Sequence, residues 1–493
     1  MKKKSIKIIL LLAAIVFFTN CESDDSVTES DVEDTTSTDS DDDGTTVNNS
    51  DYTVGLITKT EDVADGYTLF SPIRSTSTYL IDNCGELQKS WSSDYTPQAV
   101  YLLENGHLLR TATLDAVNSE FEEAGGQTGR VELFDTDGDL YWYHEFNSST
   151  EFMHHDVEYI ESTGNVMVMV WEKHSITEAE AAGYSDGHAL WSERIVELDP
   201  DTDETVWEWD AWDHLVQDEN SDEDNYGVVA DNPQLLNVNY ASGDAEYEAD
   251  WLHMNSVDYN ESLDQIVINS RNLSEFFIID HSTTTAEAAS HEGGTYGVGG
   301  DILFRWGNPQ TYDMGDDDDQ KLFLQHDANW IDSSYQDGDQ IMVFNNQTGY
   351  NENIDYSTVD VIDTEVNSDG SYSLNTDGTY GPDDFTWTYE ASTNTDFYAA
   401  NISGARRLSN GNTMICEGTT GTFFEVTYAG EVVWEYINPI DETGALAQYS
   451  TPSKNFVFRC TKIETDYAGL DYIELTSQGT IESGSDYTCT VSE

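Results

Sequence analysis

Three histidines, His155, His253 and His326, open the same kind of β segment in successive copies of an internal repeat. Imidazole is the side chain best suited at neutral pH to act as nucleophile or proton carrier. Around the second of them the chain reads Asp250-Trp-Leu-His253-Met-Asn255-Ser-Val, turns, and returns through Ile268-Asn-Ser-Arg271. A hairpin brings its two ends together, so His253, Asn255 and Arg271 share one mouth. An imidazole, an amide and a planar guanidinium suit a tetrahedral oxyanion. The run Gln325-His326-Asp-Ala-Asn-Trp330 brings a second imidazole from the next repeat, and Met153-His154-His155-Asp156 a third from the one before. Neighbours on a strand point to opposite faces, so only one of His154 and His155 faces the site. A lone His in a repeat protein is ordinarily structural, and His107, His144, His174, His188, His214, His281 and His291, in turns, loops or strand middles, are read so. Three imidazoles could also hold a transition metal for a lyase or hydrolase acting on acidic polysaccharide. Arg271 at the same mouth counts against a cation there, so no metal is assigned. A non-catalytic propeller that binds glycans or proteins is the third reading.

The elements that position these residues form a two-part repeat. The first part runs from a polar residue through a β-rich stretch, a polar turn and a second apolar stretch, at 155–170, 253–268, 326–344 and 403–416, with a shorter copy at 98–109 and a degenerate one at 66–70. Ser403 stands where the copies at 155, 253 and 326 have His. The second part is an apolar strand, an Asp/Gly turn and a strand ending in Trp or other aromatics, at 79–91, 131–143, 195–209 and 424–434, with interrupted versions at 276–306 and 359–387. The Asn-Gly, Thr-Gly and Asp-Gly pairs at the turns tolerate positive φ and mark hairpins. Six such units predict an all-β fold, a six-bladed β-propeller with its site on the central axis, because each unit needs a neighbour on both sides to bury its faces. Insertions are expected at 214–248, 283–300 and around Asp316–Asp319. The 12 Trp residues are expected to pack between blades.

The N-terminus has Lys2, Lys3, Lys4 and Lys7, then an apolar run over 8–18, then Cys21. A basic start and a run this short predict a secretory signal over 1–20 rather than a spanning helix. Residues 21–52 are almost devoid of apolar side chains and predict an acidic disordered tether, leaving 53–493 as the folded domain with a C-terminal tail. Net charge is −77 with 19 basic against 96 acidic residues, which excludes nucleic acid as a partner. Segments such as Asp135-Thr-Asp-Gly-Asp and Asp199-Pro-Asp-Thr-Asp read as hairpin turns, since they lack the twelfth-position Glu of a calcium loop. Apart from Cys21 there are Cys84, Cys416, Cys460 and Cys489, enough for two disulfides in three connectivities. A Cys460–Cys489 pair, which would staple the tail, is the one expected.

The Asp-Trp-x-His-x-Asn-Ser-Val motif, Ser-Arg271, Gln-His326-Asp and Phe344-Asn-Asn resemble those of the bacterial arylsulfate sulfotransferases, over roughly residues 60–460. The resemblance implies a six-bladed propeller that moves a sulfuryl group from an aryl sulfate to a phenolic acceptor through a sulfo-histidine, with no cofactor and no nucleotide sulfate donor. It places the transient sulfo group on His326 and sulfate binding on His253, Asn255 and Arg271. His155 matches a further active-site His, and Ser403 a hydroxyl position. The absence of a GxxxxGK[ST] phosphate loop agrees with this. The start of the chain likewise resembles a bacterial lipoprotein signal, which implies lipidation at Cys21 and a cell-envelope protein anchored to the outer membrane, facing the periplasm or the exterior.

Overall fold

The computed structural model describes residues 46–240 and 249–490, and the expected signal, Cys21 and most of the expected tether lie outside them. Six antiparallel sheets form the six blades of a β-propeller. Blade three shows the pattern: Glu151–Ile160 innermost, then Asn165–His174, Leu190–Asp199 and Glu204–Asp210 at the rim. Blade two begins with Val100–Leu102, blade four with Met254–Asn260, blade five with His326–Trp330 and blade six with Gly404–Arg407. The ring closes on blade one, whose innermost strand, Val457–Glu464, comes from the far end of the chain and pairs with Gly66–Pro72. Residues 66–70 are therefore the second strand of a blade and not a degenerate first part. The repeat there is split between the two ends of the sequence.

The Trp that ends each second part ties one blade to the next. Ten of the 12 Trp side chains are buried, and the indole N–H groups of the rim strands donate forward around the ring. Trp142 reaches Asp203 at 3.1 Å, Trp209 the Gly300 carbonyl at 2.8 Å and Trp306 that of Pro382 at 2.8 Å. Trp387 donates to Tyr428 at 2.9 Å and Trp434 to Asn83 at 3.0 Å. Five of the six blade interfaces thus carry the same bond, which satisfies a buried donor while the ring fills the gap. Asp135 and Asp199 are turn residues as expected, each accepting a backbone N–H two residues on.

Two further expectations need correction. The first strand, Val47–Asn48, lies inside the span read as tether. It pairs with Gly55–Lys59, which in turn extends the rim of blade six, and this buries the Val47 side chain. Cys489 is bonded to Cys84 and not to Cys460. The tail runs along the outer strand of blade one, where Leu87 donates to the Gly479 carbonyl, and so arrives at the turn that holds Cys84. Cys460, on the innermost strand, is a buried thiol, as is Cys416.

Candidate active site

One side chain marks the axis. Arg459, from blade one, donates to the Tyr101 hydroxyl of blade two at 2.8 Å, to Asp156 of blade three at 2.5 Å and to the Asn255 carbonyl of blade four at 2.8 Å. Its Nε lies 3.1 Å from Asp327 of blade five, and Arg406 of blade six pairs with the same Asp327. A group that touches four other blades, and a fifth through one carboxylate, can only sit where all six converge. Burial opposes the Arg459 charge, but Asp156 and Asp327 overcome this and raise its proton affinity above the ordinary guanidinium value. The guanidinium is thus a fixed cation beneath the histidines.

The innermost strands reach this axis through bulges. Strand register slips between His154 and Val157, between Met254 and Ser256, and between His326 and Asn329. Each slip frees one or two residues from pairing and re-aims them. Positive φ at His155 (50°), His253 (48°) and Asp327 (62°) completes the turn inward. His155 therefore sits within its strand, at the bulge, whereas His253 immediately precedes its strand and His326 opens its own.

His155 and His253 meet edge to face with ring centroids 4.7 Å apart. His154 instead stacks on Trp171 at 4.1 Å and meets His155 through the two Nδ1 atoms at 2.9 Å. His155 is thus the residue at the site and His154 its support. Burial first, and then the neighbouring His253, His154, His326 and Arg459, push the His155 proton affinity well below its ordinary value. His253 holds the buried Asp250 carboxylate through Nδ1. That bond fixes Nδ1–H and leaves Nε2 as the exchanging nitrogen. Arg271 is tied to the same hairpin mouth: its backbone N–H donates to the His253 carbonyl at 3.2 Å and its guanidinium to Asn272 at 2.9 Å.

The protonation of His326 is set by Asn346. The Asn346 amide donates to the Ala399 carbonyl at 2.9 Å and to that of Ile402 at 3.0 Å, so its oxygen must face His326 Nδ1, 2.8 Å away. Nδ1 then carries the proton and Nε2 the lone pair. The backbone N–H of Ile402 donates to that lone pair at 3.2 Å. Burial and the Arg271 charge hold the His326 proton affinity well below the ordinary imidazole value, against the opposing pull of Asn346. A neutral ring with an oriented lone pair is the state a nitrogen nucleophile requires.

Two residues read as substrate contacts also make hydrogen bonds within the protein. The Asn255 side chain donates to the Gln325 carbonyl at 2.9 Å and accepts from Asn269 at 2.7 Å, so both ends are engaged in holding the residue before His326. The Ser403 hydroxyl accepts the Gly418 N–H at 2.9 Å and is fully buried. Sequence reasoning missed Arg459 and Tyr101 and gave no role to Asn346 of the Phe344-Asn-Asn motif, although the repeated His-Asp pairs at 155–156 and 326–327 were a signal that these bulges deliver an acid as well as an imidazole. It also missed the loop before Gly129–Phe134 in blade two. There the Gly126 carbonyl accepts the His155 N–H at 2.6 Å, and Gly126 has φ 79°, so a Cβ on it would fall 2.0 Å from His155 Nε2.

The axis of the propeller thus holds a buried histidine cluster braced by a cation. Residues 53–461 match the arylsulfotransferase (ASST) family, and the chain belongs to it. Membership supports a sulfotransferase acting on aryl sulfates and phenols. No curated protein is detectably similar in sequence. Solved structures are similar only distantly. A protein of unknown function from Bacteroides caccae is 10% identical, with 81% of this chain and 99% of that one covered and a TM-score of 0.44. Virginiamycin B lyase from Staphylococcus aureus is 9% identical, with 80% and 89% covered and a TM-score of 0.34. Hydrazine synthase of Kuenenia stuttgartiensis is 10% identical, with 81% and 95% covered and a TM-score of 0.36. None of the three bears on activity.

Proposed function

We propose that this protein transfers a sulfuryl group from an aryl sulfate to a phenolic acceptor through a sulfo-histidine on His326, with no nucleotide sulfate donor. The observation that carries the reading is the Asn346 amide, which puts the proton on Nδ1 and leaves Nε2 as the lone-pair nitrogen, held only by the Ile402 N–H. In the first half-reaction Nε2 attacks sulfur, the S–O bond breaks with its electron pair on the departing phenolate, and His253 Nε2 gives that oxygen a proton. In the second, the acceptor phenol returns a proton to His253, its oxygen attacks sulfur, and the N–S bond breaks to restore the His326 lone pair. Asp250 holds His253 in the tautomer that can do both. Arg271 balances the charge on the sulfuryl oxygens, as cations do in phosphoryl transfer by analogy. Once Nε2 is bonded to sulfur, the Ile402 N–H loses its acceptor and is free to donate to a sulfuryl oxygen.

The test is release of nitrophenolate from 4-nitrophenyl sulfate with and without phenol, alongside intact-protein mass. Phenol-stimulated release, with a transient mass gain of one sulfuryl group that His326→Ala abolishes, is the expected result. Release that survives His326→Ala would discard the sulfo-histidine. We further propose that residues 1–20 are a lipoprotein signal and that Cys21 is lipidated, anchoring the protein in the cell envelope. The Cys84–Cys489 bond supports an oxidising compartment of this kind.

A further inference from the structure

Outside the axis, the segment that follows blade three meets the long insertion of blade four at a pair of histidines. His214 ends the short turn Ala211–His214, and His291 and Asp301 lie between Glu275–Asp280 and Phe304–Trp306. The ligand-type atoms of these three residues all lie within 4.8 Å of one another. His214 is fully buried and its ring stacks parallel to Trp209. Its Nε2 lies 2.8 Å from the Ala288 carbonyl, an atom that only accepts, so Nε2 carries a proton. In the neutral ring, Nδ1 is then a lone pair. Yet Nδ1 faces Asp301 Oδ1 at 2.8 Å, and His291 Nδ1 approaches the same oxygen at 2.7 Å. A neutral ring would aim that lone pair at a carboxylate, so a positive charge lies between them, as a second ring proton or as a metal ion.

We propose that this positive group is a divalent transition-metal ion of the zinc type, bound by His214 Nδ1, His291 Nδ1 and Asp301. Two imidazoles and one carboxylate are a borderline-soft ligand set, suited to zinc rather than to calcium or magnesium. The bond from His214 Nε2 to a backbone carbonyl is the support that orients a metal-binding imidazole and selects its tautomer. Gly300 permits it, since a Cβ there would fall 2.7 Å from that nitrogen. A tetrahedral ion with bonds of about 2.0–2.1 Å keeps its ligand atoms about 3.3 Å apart. The two N···O separations must therefore widen by roughly half an ångström: the exposed His291 supplies its own by swinging outward, and a small shift of the Asp301 carboxylate supplies the one to the buried His214. His291 and Asp213 also line a surface cavity of about 680 Å³, so the fourth position opens towards it for water. Because its ligands come from blades three and four, the ion would pin the blade-four insertion to its neighbour. This site is independent of the chemistry on the axis.

The test uses the purified full chain, stripped with chelator and titrated with Zn²⁺ by calorimetry and with Co²⁺ by visible absorption. We expect one site, a cobalt spectrum of tetrahedral type, and a melting temperature that rises with Zn²⁺. His291→Ala, at an exposed position, should keep the fold and weaken binding at least tenfold; Asp301→Asn should do the same. Binding that His291→Ala leaves unchanged would mean that surface carboxylates take up the metal. Absence of a cobalt band would mean that a proton and not a metal lies between His214 and Asp301. Either result overturns the proposal.

Discussion

The chemistry at residue scale turns on one amide. Asn346 gives its two N–H groups to backbone carbonyls and so offers only oxygen to His326. Together with burial and the Arg271 charge, which hold His326 neutral, this predicts activity that persists well below the ordinary imidazole range of about 6.5. A carboxylate in place of the amide reverses the balance, because a negative charge against Nδ1–H favours the imidazolium. Asn346→Asp should move the acid limb of kcat/KM against pH upward by at least about one unit. A limb that stays in place would remove His326 from the rate equation. Much of this cluster was legible in the sequence, because His155, His253 and His326 recur at equivalent positions and Arg271 ends the paired strand. Asn255 and Ser403 were legible only as polar residues near the mouth. Whether such a side chain faces substrate or wall depends on bulge geometry, and strand alternation does not encode that.

At the scale of elements, the blade-two loop and the contact between blades three and four are the parts most open to test. Gly126 has φ 79° and presses on the His155 ring. Gly126→Ala adds a left-handed alanine, costing about 1–2 kcal/mol, and displaces a site imidazole, where a shift of about 1 Å can cost about 10²-fold in rate. Gly125→Ala is the control, since its Cβ would lie 3.8 Å from His253 Cε1, an ordinary contact. Equal activity in the two variants would show that the loop does not position His155. On the outer part of the same blades His281 bridges Glu197 of blade three, at 3.0 Å, and Asp264 of its own blade, at 2.7 Å. Burial opposes its charge, but the hydrogen bonds and charges of Asp264 and Glu197 overcome this and raise its pKa to about 9. A raised folded value stabilises fully below the unfolded pKa of about 6.5 and is lost as pH climbs through about 9. The stability gap between the protein and His281→Gln, by urea unfolding, should shrink by up to about 3 kcal/mol between pH 6 and 10. A gap that does not vary with pH would mean that His281 is neutral. The strand order of the six blades followed from the Trp-ended hairpins, and those same residues proved to link the blades. Ring closure was hidden, because the partner of Gly66–Pro72 stands at the opposite end of the chain.

For the whole molecule, the distribution of charge matters more than its sum. There are 19 basic residues against 96 acidic ones, and Lys59, Arg110, Arg130, Arg271, Arg305, Arg407, Arg459 and Lys462 are buried. Several are committed to interior carboxylates, as Arg305 is to Glu275 and Arg459 to Asp156 and Asp327. The cations thus hold the blades and the axis together, and the surface is left with an excess of carboxylates. Such a surface repels itself, and the repulsion reaches about 30 Å at 0.01 M salt but only about 3 Å at 1 M. The interior pairs are screened far less, so added salt should relieve the surface without loosening the axis. The melting temperature is therefore expected to rise steadily from about 0.01 M to about 1 M sodium chloride, by at least several degrees, with turnover of 4-nitrophenyl sulfate retained throughout. A melting temperature that falls with salt would show that exposed ion pairs, and not the buried arginines, carry the electrostatic stability of the ring.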